Sequence, residues 1–306
     1  MQDLILHHYD VSPFAQKIRS IFGYCGLAWG SVLSPPMPPR PNLDPLAGGY
    51  RKIPVLQRGA DIFCDTRIIT AELALLTGKP ELDRNQCSVE IQGFVDTVDV
   101  SVFFASAGSA EPLKALGAMV LRFGPIATLR FIKDRVAMAR GAKIPMPTGA
   151  KAQKILKPHY GELEERLSSQ AFLFGEQPTI ADFSAYHVAW LAMLTGAKPI
   201  QKNATHTRDW YQRITAFGDG EREELKPQQA FQAAKDHEPR ALPKNSDNSG
   251  QIGNAVRIAP TDYARDAVQG TLVADTKERW ILRRDTEDFG ALHVHFPKQG
   301  FAVSEA

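Results

Sequence analysis

Residues 4–19, LILHHYDVSPFAQKIR, constrain the fold more than any other stretch of the chain. Leu4, Ile5 and Leu6 form a short apolar run of the kind a buried strand shows, and the polar His8-Tyr9-Asp10-Val11 follows. Ser12-Pro13 then opens a segment in which Phe14, Ile18, Ile21 and Phe22 recur at helical spacing. Serine is a preferred N-cap, and proline suits the first helical position because its missing N–H would be unpaired there anyway. The stretch reads as a strand, a tight turn and a helix, with Ser12 at the positive end of the helix dipole. That place suits an anion or a thiolate. It equally suits a serine that only caps its helix.

Gly23 and Gly26 end this helix, and residues 27–33 can form a second strand. Ser34-Pro35-Pro36-Met37-Pro38-Pro39-Arg40-Pro41 is a loop of polyproline type, a rigid connector or a ligand for a proline-recognising domain. A hairpin follows, from Lys52-Ile53-Pro54-Val55-Leu56-Gln57 through the turn at Arg58-Gly59-Ala60-Asp61 to Ile62-Phe63-Cys64. The helical pattern returns at Asp65 and ends near Gly78. From Arg84 to about Ala216 the period is that of helices: one over 85–107, one over 112–140 with a kink or break at Gly124-Pro125, one over 149–168, and a very apolar one from Thr179 through Leu194. Thr179 and Asp182 have the spacing of a capping box, which gives Asp182 a structural role.

Residues 221–235 read as a further helix, and 236–250, DHEPRALPKNSDNSG, as a linker. The period then changes to that of strands, at 255–258, 270–274, 279–283 and 292–296. This predicts a small all-β module, a meander or SH3-like barrel. A unit this small is near the lower limit for folding alone, so it is expected to dock on the helical domain.

Three segments carry a resemblance. YDVSPFAQKIR, GGYRKIPVL and FCDTRIITAEL stand in the order and spacing of the glutathione-site motifs of cytosolic glutathione transferases. Residues 4–77 thus resemble that family's thioredoxin-like domain, and the Thr179/Asp182 motif at the start of a central helix extends the resemblance to about Phe217. The expected architecture is an α/β thioredoxin-like domain at 1–78, an all-α helical-bundle domain at 84–235, a linker at 236–250 and an all-β module at 251–306 that departs from the family.

The resemblance implies a site. Ser12 matches the catalytic serine of the serine-type classes, with Tyr9 as rival because other classes use a tyrosine nearer the strand. A hydroxyl that donates to the sulfur, assisted by a helix N-terminus, favours thiolate over thiol. Ile53-Pro54 matches the family's cis-proline, which leaves the Ile53 backbone free to pair with the cysteinyl backbone of glutathione as an added strand does. Asp65 and Thr66 would take the γ-glutamyl ammonium and carboxylate, or merely cap the helix that follows. Lys52 and Arg40 are candidates for the glycyl carboxylate, or are solvated cations. Phe14, Phe103, Phe104, Met119 and Phe123 are candidates for an electrophile pocket, or simply core. A homodimer is expected.

Composition removes other classes. The net charge of +2 over 306 residues calls for neither nucleic acid nor an anionic membrane. No apolar run approaches the ~18 residues of a membrane span, and no basic-then-apolar secretory leader opens the chain. Cys25, Cys64 and Cys87 are too few and too scattered for a disulfide framework or a zinc site, so a reducing cytoplasm is expected. His7 and His8, and His293 and His295, form pairs without an evident acidic or thiol partner, and no metal is expected. The sequence points to an enzyme that activates the glutathione thiol for attack on a hydrophobic electrophile, or for a related isomerase or lyase step. The alternative is a non-catalytic scaffold of the same fold with the β module as its recognition element.

Overall fold

The computed structural model describes residues 3–140, 146–197, 204–244, 247 and 250–306. β1 (Ile5–His8), α1 (Pro13–Cys25) and β2 (Ala28–Leu33) realise the opening strand, turn and helix. Ser12 Oγ accepts the Ala15 N–H, and Gly26 closes α1 at φ 61°, a left-handed conformation open to glycine because it lacks Cβ. A short helix, α2 (Asp44–Ala47), follows the proline-rich loop. The hairpin of β3 (Val55–Arg58) and β4 (Asp61–Cys64) leads into α3 (Thr66–Thr77). β1 is parallel to β2 and antiparallel to β3, and β3 is antiparallel to β4. This is the thioredoxin-like α/β arrangement.

The helical part opens with α4 (Val89–Thr97), which widens into a π-helical turn at Val98–Val102 before α5 (Phe103–Gly108). The sequence pattern predicts one regular helix here. The extra residue per turn instead re-aims Asp99, and such π-turns are frequent at functional sites. Gly124 and Pro125 split the next pattern into α6 (Pro112–Phe123) and α7 (Pro125–Arg140), as the missing proline N–H predicts. α8 (Gly149–Leu167), α9 (Ile180–Thr195) and α10 (Thr205–Ala216) complete the bundle. Ile18, Ile21 and Phe22 of α1 share one core with Phe63, Leu73, Val98, Phe183, Val188 and Trp210. Each such side chain contributes roughly 1.5–3 kcal/mol on burial, so the two units hold each other in place.

Two expectations for the remainder change. Glu221–Glu224 is not helical but a strand, β5, laid parallel to β2, and the helix, α11, is confined to Pro227–Lys235. The open edge of β2 decides this: the N–H groups of Glu221 and Leu225 donate to the carbonyls of Leu27 and Ser31 at 2.9 and 2.8 Å. Pairing with an existing edge overrides helix propensity. α11 then packs Ala230 and Ala233 against Ile5 and Val32.

The all-β module touches the helical bundle, at Tyr263 on Phe104 and Gln299 on Asp96, but its main junction is with the sheet of the thioredoxin-like domain. It comprises β6 (Ala255–Pro260), β7 (Val268–Asp275), β8 (Arg279–Thr286), β9 (Gly290–Pro297) and β10 (Phe301–Glu305). β6 to β9 form an antiparallel meander, β10 returns to pair with β6, and β9 pairs parallel with β4. One sheet of ten strands results, ordered β10-β6-β7-β8-β9-β4-β3-β1-β2-β5. The unpaired edge of β4 is again the reason. A second core seals the join, with Leu43, Leu46, Tyr50, Ile62 and Cys64 on one side and Val256, Leu272, Leu282, Val294 and Phe296 on the other. His295 finds the acidic partner the sequence did not show: its Nε2 lies 2.7 Å from Asp61 Oδ1. Arg240, in the segment between the module and α11, donates to Asp61 and Glu72. No helix among the described residues is long and apolar enough to cross a membrane, and no group of three or more metal-ligating side chains is found among them.

Candidate functional site

Two backbone features converge at the N-terminus of α3. The Ile53–Pro54 peptide that leads into β3 is cis, as the sequence predicts. Asp65, which leads into α3, sits at φ 90°, where an L residue is strained. Such outliers cost about 1–3 kcal/mol and cluster at functional sites. Asp65 Oδ1 caps the helix by accepting the Arg67 N–H at 3.0 Å, and Arg67 Nη1 stands 3.9 Å away.

Ile53, Pro54, Asp65 and Thr66 together line a cavity of about 50 Å³, joined by Lys52 and by Arg67. Phe14 of α1, Asp99 and Val100 of the π-turn, and Phe104 of α5 form its far wall. Asp262 and Tyr263, from the connection between β6 and β7, close it. A larger depression of about 320 Å³, bordered by Leu167, His206 and Arg213, contains none of the motif residues. The smaller cavity is therefore the candidate site.

The charges around it are paired. Lys52 Nζ donates to both carboxylate oxygens of Asp262, at 2.8 and 3.1 Å, and lies 4.2 Å from the centre of the Tyr263 ring. Lys17, buried on α1, donates to Asp99 Oδ2 at 2.8 Å. Burial opposes ionisation of Asp99, but the charges of Lys17 and His187 outweigh it and hold the carboxyl below its usual range. His187 stands 4.0 Å from Asp99, and burial pushes its pKa down to about 4 despite that neighbour.

Of the residues singled out from sequence, Ile53, Pro54, Asp65, Thr66, Lys52, Phe14 and Phe104 come together on the cavity. Ser12 does not form its wall. Its hydroxyl is 2% exposed at the cap of α1, two residues before Phe14, and accepts the Ala15 N–H at 3.2 Å, so the hydroxyl proton remains available to donate. Tyr9 packs against the second core. Arg40 is not brought to the cavity: its guanidinium donates to the carbonyls of Pro35, Arg51 and Pro36 and ties down the proline-rich loop. Burial lowers its pKa to about 10. Phe103 packs at a tilt against Phe14, ring centres 4.6 Å apart, and Met119 is half-buried on α6 and not among the residues lining the cavity. Phe123 lies outside the residues whose side chains are described.

Sequence reasoning missed Arg67, Lys17, Asp99, Asp262 and Tyr263. A signal existed for two of them. Lys17 interrupts the apolar face of α1, and Asp99 stands among Val98, Val100 and Val102. A charge inside an apolar helical stripe is buried only if paired. No local signal marked Asp262 or Tyr263, which arrive by sheet pairing.

Comparison with known proteins bears on the family and the fold. The family of glutathione S-transferase N-terminal domains matches residues 6–81, and that of glutathione S-transferase C-terminal domains matches residues 135–213. A GST-like protein from Pseudomonas syringae is 32% identical over 100% of both chains, with a TM-score of 0.77. FzlA from C. crescentus is 18% identical, over 79% of this chain and 96% of its own, with a TM-score of 0.48. A glutathione S-transferase from Rhodospirillum rubrum is 14% identical, over 70% of this chain and 88% of its own, at 0.47. No curated protein matches. The Pseudomonas syringae protein is similar from end to end, the β module included.

Proposed function

Since the chain belongs to the glutathione S-transferase family, we propose that it binds glutathione at the α3 N-terminus and activates its thiol for attack on a hydrophobic electrophile, or for a related isomerase or lyase step. The observation that carries this reading is the meeting of Ile53, Pro54, Asp65, Thr66 and Lys52, from separate segments, on one cavity. Asp65 would take the γ-glutamyl ammonium, while the Thr66 hydroxyl and the first N–H groups of α3 take the adjacent carboxylate. The Ile53 backbone would pair with the cysteinyl unit, and Lys52 would face the glycyl carboxylate.

Ser12 would then act on the sulfur. It sits where the α1 dipole favours negative charge, and a hydroxyl donated to the sulfur lowers the cost of the thiolate. Tyr9 remains the rival hydroxyl. Phe14, Phe104 and Val100 offer the apolar wall that an electrophile needs. Calorimetric titration with glutathione tests the reading, followed by an electrophile panel on the binding-competent protein. A flat titration rules it out. A homodimer in the cytoplasm belongs to the same reading, and sedimentation velocity checks the dimer.

A second reading has one observation in its favour. Ser12 is buried behind the cavity wall and the β module takes up Lys52, an arrangement that also suits a non-catalytic member whose module serves recognition. Glutathione binding without turnover of any electrophile would favour it.

A further inference from the structure

The connection between β6 and β7, residues 261–267, reaches across from the module into the candidate site. Asp262 spends both carboxylate oxygens on Lys52, and the Tyr263 ring covers the same ammonium. The far side of Tyr263 meets Phe104 edge to face, ring centres 5.4 Å apart. The connection is fastened at both ends. The Thr261 N–H donates to Gly300 at 2.9 Å, and Asp266 lies 3.8 Å from Arg51. Between them Ala264 is held at φ 51°, a left-handed conformation that a residue with Cβ adopts only under constraint.

Size decides what this means. A pocket for a ligand of ordinary size measures roughly 300–1,000 Å³. The cavity left beneath Tyr263 is about 50 Å³, enough for a few water molecules. A ligand whose carboxylate takes Lys52 must displace Asp262, and with it residues 261–267. At the cavity itself Asp262 holds them by charge to Lys52, and its carboxylate is chemically the same as the end of the ligand. An ammonium has three donors: two point to Asp262, and an aromatic face covers it.

We propose that Asp262 stands in for the terminal carboxylate of the ligand, so that residues 261–267 form a gate opened by a thiol peptide with a free C-terminal carboxylate and kept shut against one capped there. The inference rests on the assignment of Lys52 to the glycyl end. It makes Asp262 a specificity-determining residue, because a ligand that cannot replace its contact to Lys52 loses the pair on opening the gate and gains nothing in return.

The test compares glutathione with its glycyl ethyl ester on the full-length protein and on Asp262→Asn, by calorimetry and by hydrogen exchange of residues 261–267. The wild type should bind glutathione about tenfold tighter than the ester, the effect of one partly shielded ionic contact. Asp262→Asn should tighten glutathione severalfold, and the gain should vanish in a Lys52→Ala background. Glutathione should speed exchange at 261–267 in the wild type, and Asp262→Asn should speed it without ligand. Equal affinities for wild type and Asp262→Asn, or slower exchange on binding, overturn the gate. Asp65→Ala separates the two ideas: if it leaves glutathione affinity unchanged, the pocket assignment fails, whereas unchanged affinity in Asp262→Asn with a working Asp65 removes the gate alone.

Discussion

Asp182 at the start of α9 and Asp65 at the start of α3 both set a carboxylate at a helix start, and they do opposite things with it. At α9, Asp182 closes a capping box with Thr179: Oδ2 accepts the Thr179 N–H at 2.8 Å, and Oδ1 accepts the Leu173 N–H and the Trp210 indole N–H, each at 2.9 Å. It is fully buried and both oxygens are in use. At α3, Asp65 spends Oδ1 on the Arg67 N–H, stands at a strained φ of 90° and faces a cavity. The residue type is alike, although Asp65 is itself the N-cap and Asp182 the N3 residue that reaches back to Thr179. What differs is what lies in front of the carboxylate, protein donors in one case and open space in the other. A cap whose bonding capacity is full stabilises a fold; a cap with capacity left over, held in an unfavourable conformation, is where a ligand belongs.

Substitution should separate the two most sharply at Asp182. Asp182→Ala strands three buried N–H donors, those of Leu173, Thr179 and Trp210, inside the core shared by α1 and α9. Removing the charged partner of a buried network costs about 3–5 kcal/mol. Urea titration should show that loss, with glutathione affinity unchanged in the fraction that folds. A loss below about 1 kcal/mol would mean that Asp182 is an ordinary surface-type cap.

Another capped helix start, at Ser12, should show its effect in rate. Ser12→Ala removes a hydroxyl that caps α1 at 3.2 Å and, in the proposed reading, donates to the thiolate. Loss of one preorganised donor to a developing anion costs on the order of 3 kcal/mol, about a hundredfold in turnover. The lost cap should cost only about 1 kcal/mol in stability. Tyr9→Phe is the control. If it abolishes conjugation while Ser12→Ala leaves turnover and thiol titration intact, the catalytic hydroxyl is Tyr9 and Ser12 is a cap alone.

Asp65→Ala is the smaller counterpart of Asp182→Ala, and its sign on stability is open to a useful check. Losing one charge-assisted contact should weaken glutathione by roughly 1.5–3 kcal/mol. The lost cap costs about 1 kcal/mol, while the left-handed φ remains a strain for alanine. Replacement by glycine relieves that strain, so Asp65→Gly should be the more stable of the two variants yet bind glutathione equally poorly. Thermal melts alongside calorimetry distinguish these outcomes. Equal stability with unchanged affinity would leave Asp65 as nothing more than a cap.

What could be read from the sequence follows the same division between near and far. Ser12-Pro13, Gly124-Pro125 and the Thr179/Asp182 box act through neighbours within a turn, and each places a helix end where the pattern predicts it. The helices and the meander of the module were legible for that reason, while the thioredoxin-like unit and the cis bond at Ile53–Pro54 were legible through the resemblance of three motifs to a known family. Contacts decided by an open sheet edge were not. Nothing in Glu221–Glu224 announces that β2 has a free edge to receive it, and nothing in β9 names β4 as its neighbour. Because β9 joins β4 rather than the bundle, the connection at 261–267 falls over Lys52. The missed part of the site is a direct consequence of the missed docking.

The smallest expected effect concerns protons, and it sharpens the contrast at Asp182 itself. Burial lowers the pKa of His7, His159 and His187 to about 4 and that of His8 to about 3, against 6.5 for a free imidazole. Below pH 6.5 the unfolded chain takes up protons that these buried rings refuse, so stability falls as pH drops from about 6.5 towards 4. Asp182 has the opposite sign. Burial raises its pKa to about 6 from 3.8, against the pull of its hydrogen bonds, so between those values the folded state holds a proton that the unfolded chain has released. Its contribution therefore grows as pH falls through that window and offsets one of the four imidazoles. Asp182→Asn keeps an acceptor oxygen but cannot titrate. Urea titrations at pH 6, 5.5 and 5 should show its stability falling with acid more steeply than that of the wild type, by about 1 kcal/mol per pH unit. If Asp182→Asn keeps the wild-type slope, the Asp182 carboxyl does not feel its burial and the contrast between the two helix starts is lost.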